Sequence, residues 1–597
     1  MDLRWRGKTT RHLGVLLGFA AVATLMTYPL AFRMSRSVPG WPGDNLHYVR
    51  LLWWFKYALI DQGISPYFNP LVYVPEGLAM ARGEVTLANT LLALPLTAAW
   101  GPVVAYNVSL LVTFVLTGFA TYLWVWRLTE HRLAGVIGGV IFAFCPYRMA
   151  HLAGHLPLMP TQWFPFLLYA FEELRRTHKV RFAVWAAFFF AMNAWASWYY
   201  LYFSLVLVPV YVALRFKGWR LWLRSRRFWR AATAFSVISL VLTLPTALPF
   251  LQFHDTGQMQ HRFNTMEKWS ANPTDFFVPN LLHPLWGEAL RRLVPFQWEL
   301  WVEKSLSLGT APLVLATVAL VKRWAQRSVR SLGCIALVSF LLALGPTLHW
   351  AGQRVHLEVP TGLMALLYHV GVTPYLARRL DPVLLSDVQL NHYAFIPLPM
   401  LFFYLFVPFT NAMRSVGRFG LLTILAVAGL AGQGTLILDQ RWRSTRIRSL
   451  LLVAVGLLII VEFWSLPYEM TDLAPRPVDL WLAEQSTGAV VELPVTDGLP
   501  RLKDYFATVH QQPTVFGPTN LTFIPQTFEE RRKNLSSFPD AESIAALEAY
   551  EATYILVHTE KIDAWPEQIE DETLRRRLHL LRCFDTTCVY TLGSSLQ

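Results

Sequence analysis

Arg215-Phe-Lys217-Gly-Trp-Arg220-Leu-Trp-Leu-Arg224-Ser-Arg226-Arg227-Phe-Trp-Arg230 carries seven cations and no acid, and lies between two long apolar runs. Cation-rich, acid-free loops flanked by apolar blocks are the mark of a polytopic membrane protein, in which such loops stay on the cytoplasmic side. Smaller basic clusters repeat along the chain: Arg4/Arg6/Lys8/Arg11, Arg127/Arg132, Arg175/Arg176/Lys179/Arg181, Lys322/Arg323/Arg327/Arg330 and Arg441/Arg443/Arg446/Arg448. Placing all of them on one side predicts spans near 12–32, 103–126, 132–148, 157–172, 182–198, 199–215, 231–251, 305–321, 331–349, 415–438 and 448–466. That is about eleven spans, an odd number, which predicts a cytoplasmic amino terminus and an outer carboxy-terminal segment.

Composition agrees. Hydrophobic residues make up 54% of the 597 and charged residues 15%, against about 25% charged in a soluble domain. The net charge of +13 does not point to nucleic acid, because the cations sit in short clusters between apolar blocks and form no phosphate-binding face. No small-residue cleavage site follows the first apolar block, which therefore reads as an uncleaved anchor. Three apolar stretches, 86–100, 361–371 and 393–410, are short or broken by proline, and each would put a basic loop on the wrong side if counted singly. They are expected to be re-entrant or interfacial segments on the outer face, with two extra spans as the alternative.

The expected domains are a transmembrane unit, 1–468, whose first outer loop covers 33–102, and a small extracytoplasmic α/β domain, 469–597. In the second, Thr487 to Pro494 and Thr553 to His558 read as buried strands and Ser543 to Tyr550 as a helix. Leu580 to Leu592 reads as a hairpin that brings Cys583 and Cys588 opposite each other, near disulfide distance.

The predicted spans carry almost no ionisable residues through their centres; Arg418 and Glu462 lie near the outer ends. A proton-coupled transporter places such groups at mid-membrane, so chemistry is expected at the outer boundary. The first outer loop holds the most informative acid. It reads Pro39-Gly-Trp-Pro-Gly-Asp44-Asn-Leu-His47-Tyr-Val-Arg50, and Asp44 there is either a helix N-cap or a reactive carboxylate at the membrane surface.

A long first outer loop with an Asp soon after the first span, together with an outer tail, resembles the GT-C superfamily of membrane glycosyltransferases. The resemblance extends through Tyr73-Val-Pro-Glu76-Gly, Pro146-Tyr-Arg148-Met-Ala-His151-Leu-Ala-Gly-His155, Trp163-Phe-Pro165 and Arg414-Ser-Val-Gly-Arg418-Phe, which look like landmarks of a bacterial multispanning branch of that superfamily. It implies transfer of a sugar from a polyprenyl-phosphate carrier to an extracytoplasmic glycan, lipid or protein at the plasma membrane, with inversion. It casts Asp44 as the general base. Arg148, Arg414 and Arg418 would neutralise the donor phosphate. His151 and His155, four apart on one helix face, would bind phosphate or metal, or simply hydrogen-bond at the interface. Glu76 would be a second acid, positioning the donor directly or through a divalent metal such as Mg2+ or Mn2+; Glu84 is the other acid nearby. Asp275 and His283 would line the acceptor side. A non-catalytic scaffold for envelope polysaccharide assembly and a transporter are the alternative readings.

Overall fold

The computed structural model describes residues 3–216, 224–254, 261–294, 299–358, 360, 362, 369, 393–441, 445–465, 467–495, 502–518, 524–562 and 576–593. Lys217, Arg220, Arg443 and most of the 361–371 stretch lie outside them. Helices fall on each apolar block: Leu3–Met26, Leu94–Thr129, Arg132–Phe144, Trp163–Thr177, Arg181–Ala196, Trp198–Arg215, Arg226–His254, Thr310–Arg323, Arg327–Ala343, Gly420–Arg441 and Thr445–Glu462. Among the described residues five are long and apolar enough to cross a membrane: Leu94–Thr129, Arg132–His151, Trp198–Arg215, Arg226–Gln252 and Val416–Arg441. The others are shorter or less apolar.

These helices differ in place. The apolar stretch of Arg132–His151 is 89% buried and that of Arg226–Gln252 only 6%, so the first is central and the second lies at the periphery. The central helices pack through glycine. A Cβ on Gly434 would stand 2.0 Å from the Leu315 carbonyl oxygen, and one on Gly139 would stand 2.6 Å from that of Gly118. Small residues let helix backbones meet this closely, which is how association proceeds where lipid and side chain are equally apolar.

Two of the three short apolar stretches fall among the described residues. Residues 94–100 form the first turns of the helix Leu94–Thr129, which is broken at Gly101, where φ is 81°. Residues 393–410 hold a strand, Tyr393–Phe395, and an eight-residue helix, Pro399–Phe406. That helix is about 12 Å long, far short of a bilayer core of roughly 30 Å.

The tail carries a four-stranded sheet in the order Leu578–Phe584, Thr587–Leu592, Ala552–His558, Ala489–Leu493. The last pair is parallel and the others are antiparallel. Cys583 faces Cys588 across the hairpin, and the two form a disulfide. The tail is stitched to the first loop. Ser37–Pro39 pairs antiparallel with Met470–Asp472, and Thr514 N donates to the Leu71 carbonyl at 2.9 Å. These ties hold the segment that carries Asp44.

Candidate active site

Asp44 opens the helix Asp44–Lys56, but it is not the cap. The N-cap position is Gly43. The local holding falls to the buried Asn45, whose Oδ1 accepts from Gly43 N and Leu46 N and whose Nδ2 donates to the Pro39 carbonyl, all at 2.9 Å. The Asp44 carboxylate, 28% exposed, stands in the first turn, where the helix dipole favours its charge.

Two glycines bring this turn against residues 151–155. Gly40 has φ +91°, and a Cβ there would lie 2.1 Å from the Ala153 carbonyl oxygen. A Cβ on Gly154 would lie 3.3 Å from Asn45 N and 3.5 Å from the Asp44 Cβ. With both contacts tight, Asp44 Oδ2 comes 3.5 Å from His155 Nε2. His155 Nδ1 in turn lies 3.0 Å from His151 Nδ1.

Behind the histidines stands Glu303, which sequence reasoning missed. Its carboxylate and the two imidazoles offer ligand atoms within 4.8 Å of one another. Arg418 grips Glu303 from the far side, Nε donating at 2.9 Å to Oε2 and 3.1 Å to Oε1. The Arg418 guanidinium lies 4.4 Å over the Tyr199 ring, and the Tyr199 hydroxyl accepts from Arg414 N and Ser415 N. Burial opposes the charge on Glu303, but the Arg418 guanidinium outweighs it and holds the carboxyl well below the usual range. Burial pushes His155 down, with Asp44 pulling the other way. One signal could have marked Glu303: it is an acid in Trp301-Val-Glu303-Lys304, directly before an apolar block.

Two of the expected residues are engaged elsewhere. Arg148 is fully buried and spent internally, donating to the Ala143 and Met159 carbonyls at 2.8 and 2.9 Å and to Thr113 Oγ1 at 3.1 Å. It braces the turn that carries His151 and is closed to a phosphate. Glu76 pairs with Arg531 of the tail, so it ties the first loop to the tail. The acid of that loop that enters the cluster's electrostatic field is Glu84. It accepts from Ser197 Oγ at 2.5 Å, and burial raises its carboxyl against the pull of Ser197 and Arg418. Arg418 is near the centre, as expected, but its charge is matched by Glu303. Arg414 is half-buried, with its guanidinium 4.5 Å over Trp269.

A cleft of about 640 Å³ opens on the other side of the short helix Trp301–Lys304, lined by Pro146, Asp275, Asn280, Trp301, Lys304 and His349 among others. Asp275 reaches it, though its carboxylate accepts from Asn272 N at 2.7 Å. His283 does not line it; its ring stacks on Trp286 and its Nε2 meets the Val461 carbonyl at 2.9 Å.

Residues 91–370, under half of the chain, match the model of a domain of unknown function, DUF6311. A comparison with curated proteins finds no match. Among solved structures, the chain is similar to the arabinofuranosyltransferase AftD from Mycobacteria at 14% identity and TM-score 0.51, over 100% of this chain and 42% of that one. It also overlays on ArnT from Cupriavidus metallidurans (14% identity, TM-score 0.44, 99% of each chain). A third is the oligosaccharyltransferase of Archaeoglobus fulgidus (11% identity, TM-score 0.45, 98% of this chain and 75% of that one). The likeness to AftD shows a shared fold.

Proposed function

We propose that this chain is an inverting glycosyltransferase that moves a sugar from a polyprenyl-phosphate carrier to an acceptor hydroxyl at the outer face of a bacterial plasma membrane. The observation that supports it best is the placement of Asp44. A partly exposed carboxylate in the first turn of its helix stands at the mouth of a cluster of imidazole, carboxylate and guanidinium groups.

The reaction follows from those groups. An Asp44 oxygen accepts the proton of the acceptor hydroxyl as that oxygen bonds to the anomeric carbon, a contribution of roughly 10²–10⁴-fold. The bond from that carbon to the phosphate oxygen breaks on the opposite face, and its electron pair leaves with the lipid phosphate. Arg414 stands ready to meet that negative charge with its exposed edge. The acceptor occupies the cleft beside Trp301–Lys304, whose volume lies within the roughly 300–1,000 Å³ of small-ligand sites.

The test is a profile of lipid-linked sugars in a strain lacking the protein. One polyprenyl-phosphate sugar should accumulate and one envelope component should lose that sugar. An unchanged profile with intact envelope glycans would favour a scaffold.

A further inference from the structure

The proposed reaction leaves a deficit of positive charge. Arg148 is enclosed, Arg418 is neutralised by Glu303, and Arg414 is the remaining cation of the three expected to meet the leaving phosphate. The residues facing that place are ligands: two imidazoles and a carboxylate.

We propose that His151, His155 and Glu303 form a binding site for a divalent ion of the zinc class. Two imidazoles and a carboxylate, with positions left open, form a donor set of catalytic zinc centres. The nitrogen-rich set also selects against Mg2+ and Mn2+, which prefer oxygen ligands. Spacing agrees. Bonds of about 2.0–2.1 Å in a tetrahedron put ligand atoms roughly 3.3 Å apart, and the two Nδ1 atoms stand 3.0 Å apart. Glu303 is already fixed, because Arg418 holds its rotamer, and among the described residues Oε2 accepts the 2.9 Å bond from Arg418 Nε. That leaves room on Oε2 for a second partner.

The outer partner is also in place. With Nδ1 on the ion, His155 Nε2–H points to Asp44 Oδ2 at 3.5 Å. That is a carboxylate–histidine–metal arrangement, in which the carboxylate sets the tautomer and orients the ring. The ion's role, to hold the phosphate oxygens of the donor, rests on the reaction proposed above. The site itself does not.

The experiment uses the full chain purified in detergent without chelator. Elemental analysis should find about one zinc-class ion per chain. After chelation, Co2+ should rebind and give the visible absorption of a tetrahedral site. His155→Ala, in a partly exposed loop, and His151→Asn should each weaken Co2+ binding by more than the 10–100-fold typical of losing an outer partner, and Asp44→Asn should weaken it within that range. Melting curves confirm that each variant is folded. Equal Co2+ binding by wild type and by both histidine variants would overturn the site, as would Mg2+ displacing Co2+ at comparable concentration. Tight Co2+ binding beside an undiminished Asp44→Asn turnover would keep the site and remove the reaction.

Discussion

Arg418→Met probes how the centre is held together. The Arg418 and Glu303 side chains are 6% and 3% exposed, and the guanidinium makes bonds of 2.9 and 3.1 Å to the two carboxylate oxygens. Removing one partner of such a pair leaves a buried charge without compensation, at a cost of about 3–5 kcal/mol. At roughly 1.4 kcal/mol per tenfold, that is two to nearly four powers of ten in the unfolding constant. Glu303→Gln should cost less, because the stranded guanidinium keeps its place over the Tyr199 ring, a contact worth up to about 2 kcal/mol when desolvated. The double variant, Glu303→Gln with Arg418→Met, should recover at least half of the loss. Equilibrium unfolding in mixed micelles, scored as a double-mutant cycle, measures all three. Single variants within about 0.5 kcal/mol of wild type, as at an ordinary surface site, would refute the reasoning. So would a double variant whose cost equals the sum of the singles.

Gly40→Ala puts a methyl into the Ala153 carbonyl at a positive φ. It should cost about 1–3 kcal/mol and lower transfer by separating Asp44 from His155; normal turnover would show that this contact does not set the site. In the tail, burial holds His510 down to about 4. The unfolded imidazole takes a proton near 6.5 that the folded one refuses, so stability present above that value is lost as pH falls toward 4. The loss is about 2–3 kcal/mol by pH 4.5. Thermal melts at pH 7.5 and 4.5 should show it, and His510→Gln should narrow the gap; an unchanged gap would clear His510 of the effect.

The positions of the helices were legible because long apolar blocks are properties of contiguous sequence, readable without any long-range contact. The strands around 489–493 and 552–558 and the Cys583–Cys588 pairing were legible for the same reason, since alternation and hairpin register are local. The site was only half legible. His151 closes a helix and His155 follows in the turn after it, its N–H donating to the His151 carbonyl, so their proximity follows from spacing, but Glu303 reaches them from 148 positions beyond His155 and needs tertiary structure to be seen. Arg148 and Glu76 show the converse. Each sits in a plausible motif, and each is consumed by a partner distant in the chain or by backbone carbonyls, as with Arg531 for Glu76. A cation's sequence context does not reveal whether its hydrogen bonds are already filled.

The central claim is that the Asp44 carboxylate takes the acceptor's proton. It is tested most directly by the turnover of Asp44→Asn with the lipid-linked sugar that accumulates in the strain lacking the protein. An amide keeps the shape and cannot accept the proton, so turnover should fall by at least about 10²-fold while the donor still binds and the chain still melts as wild type. Turnover within a few-fold of wild type would contradict the account.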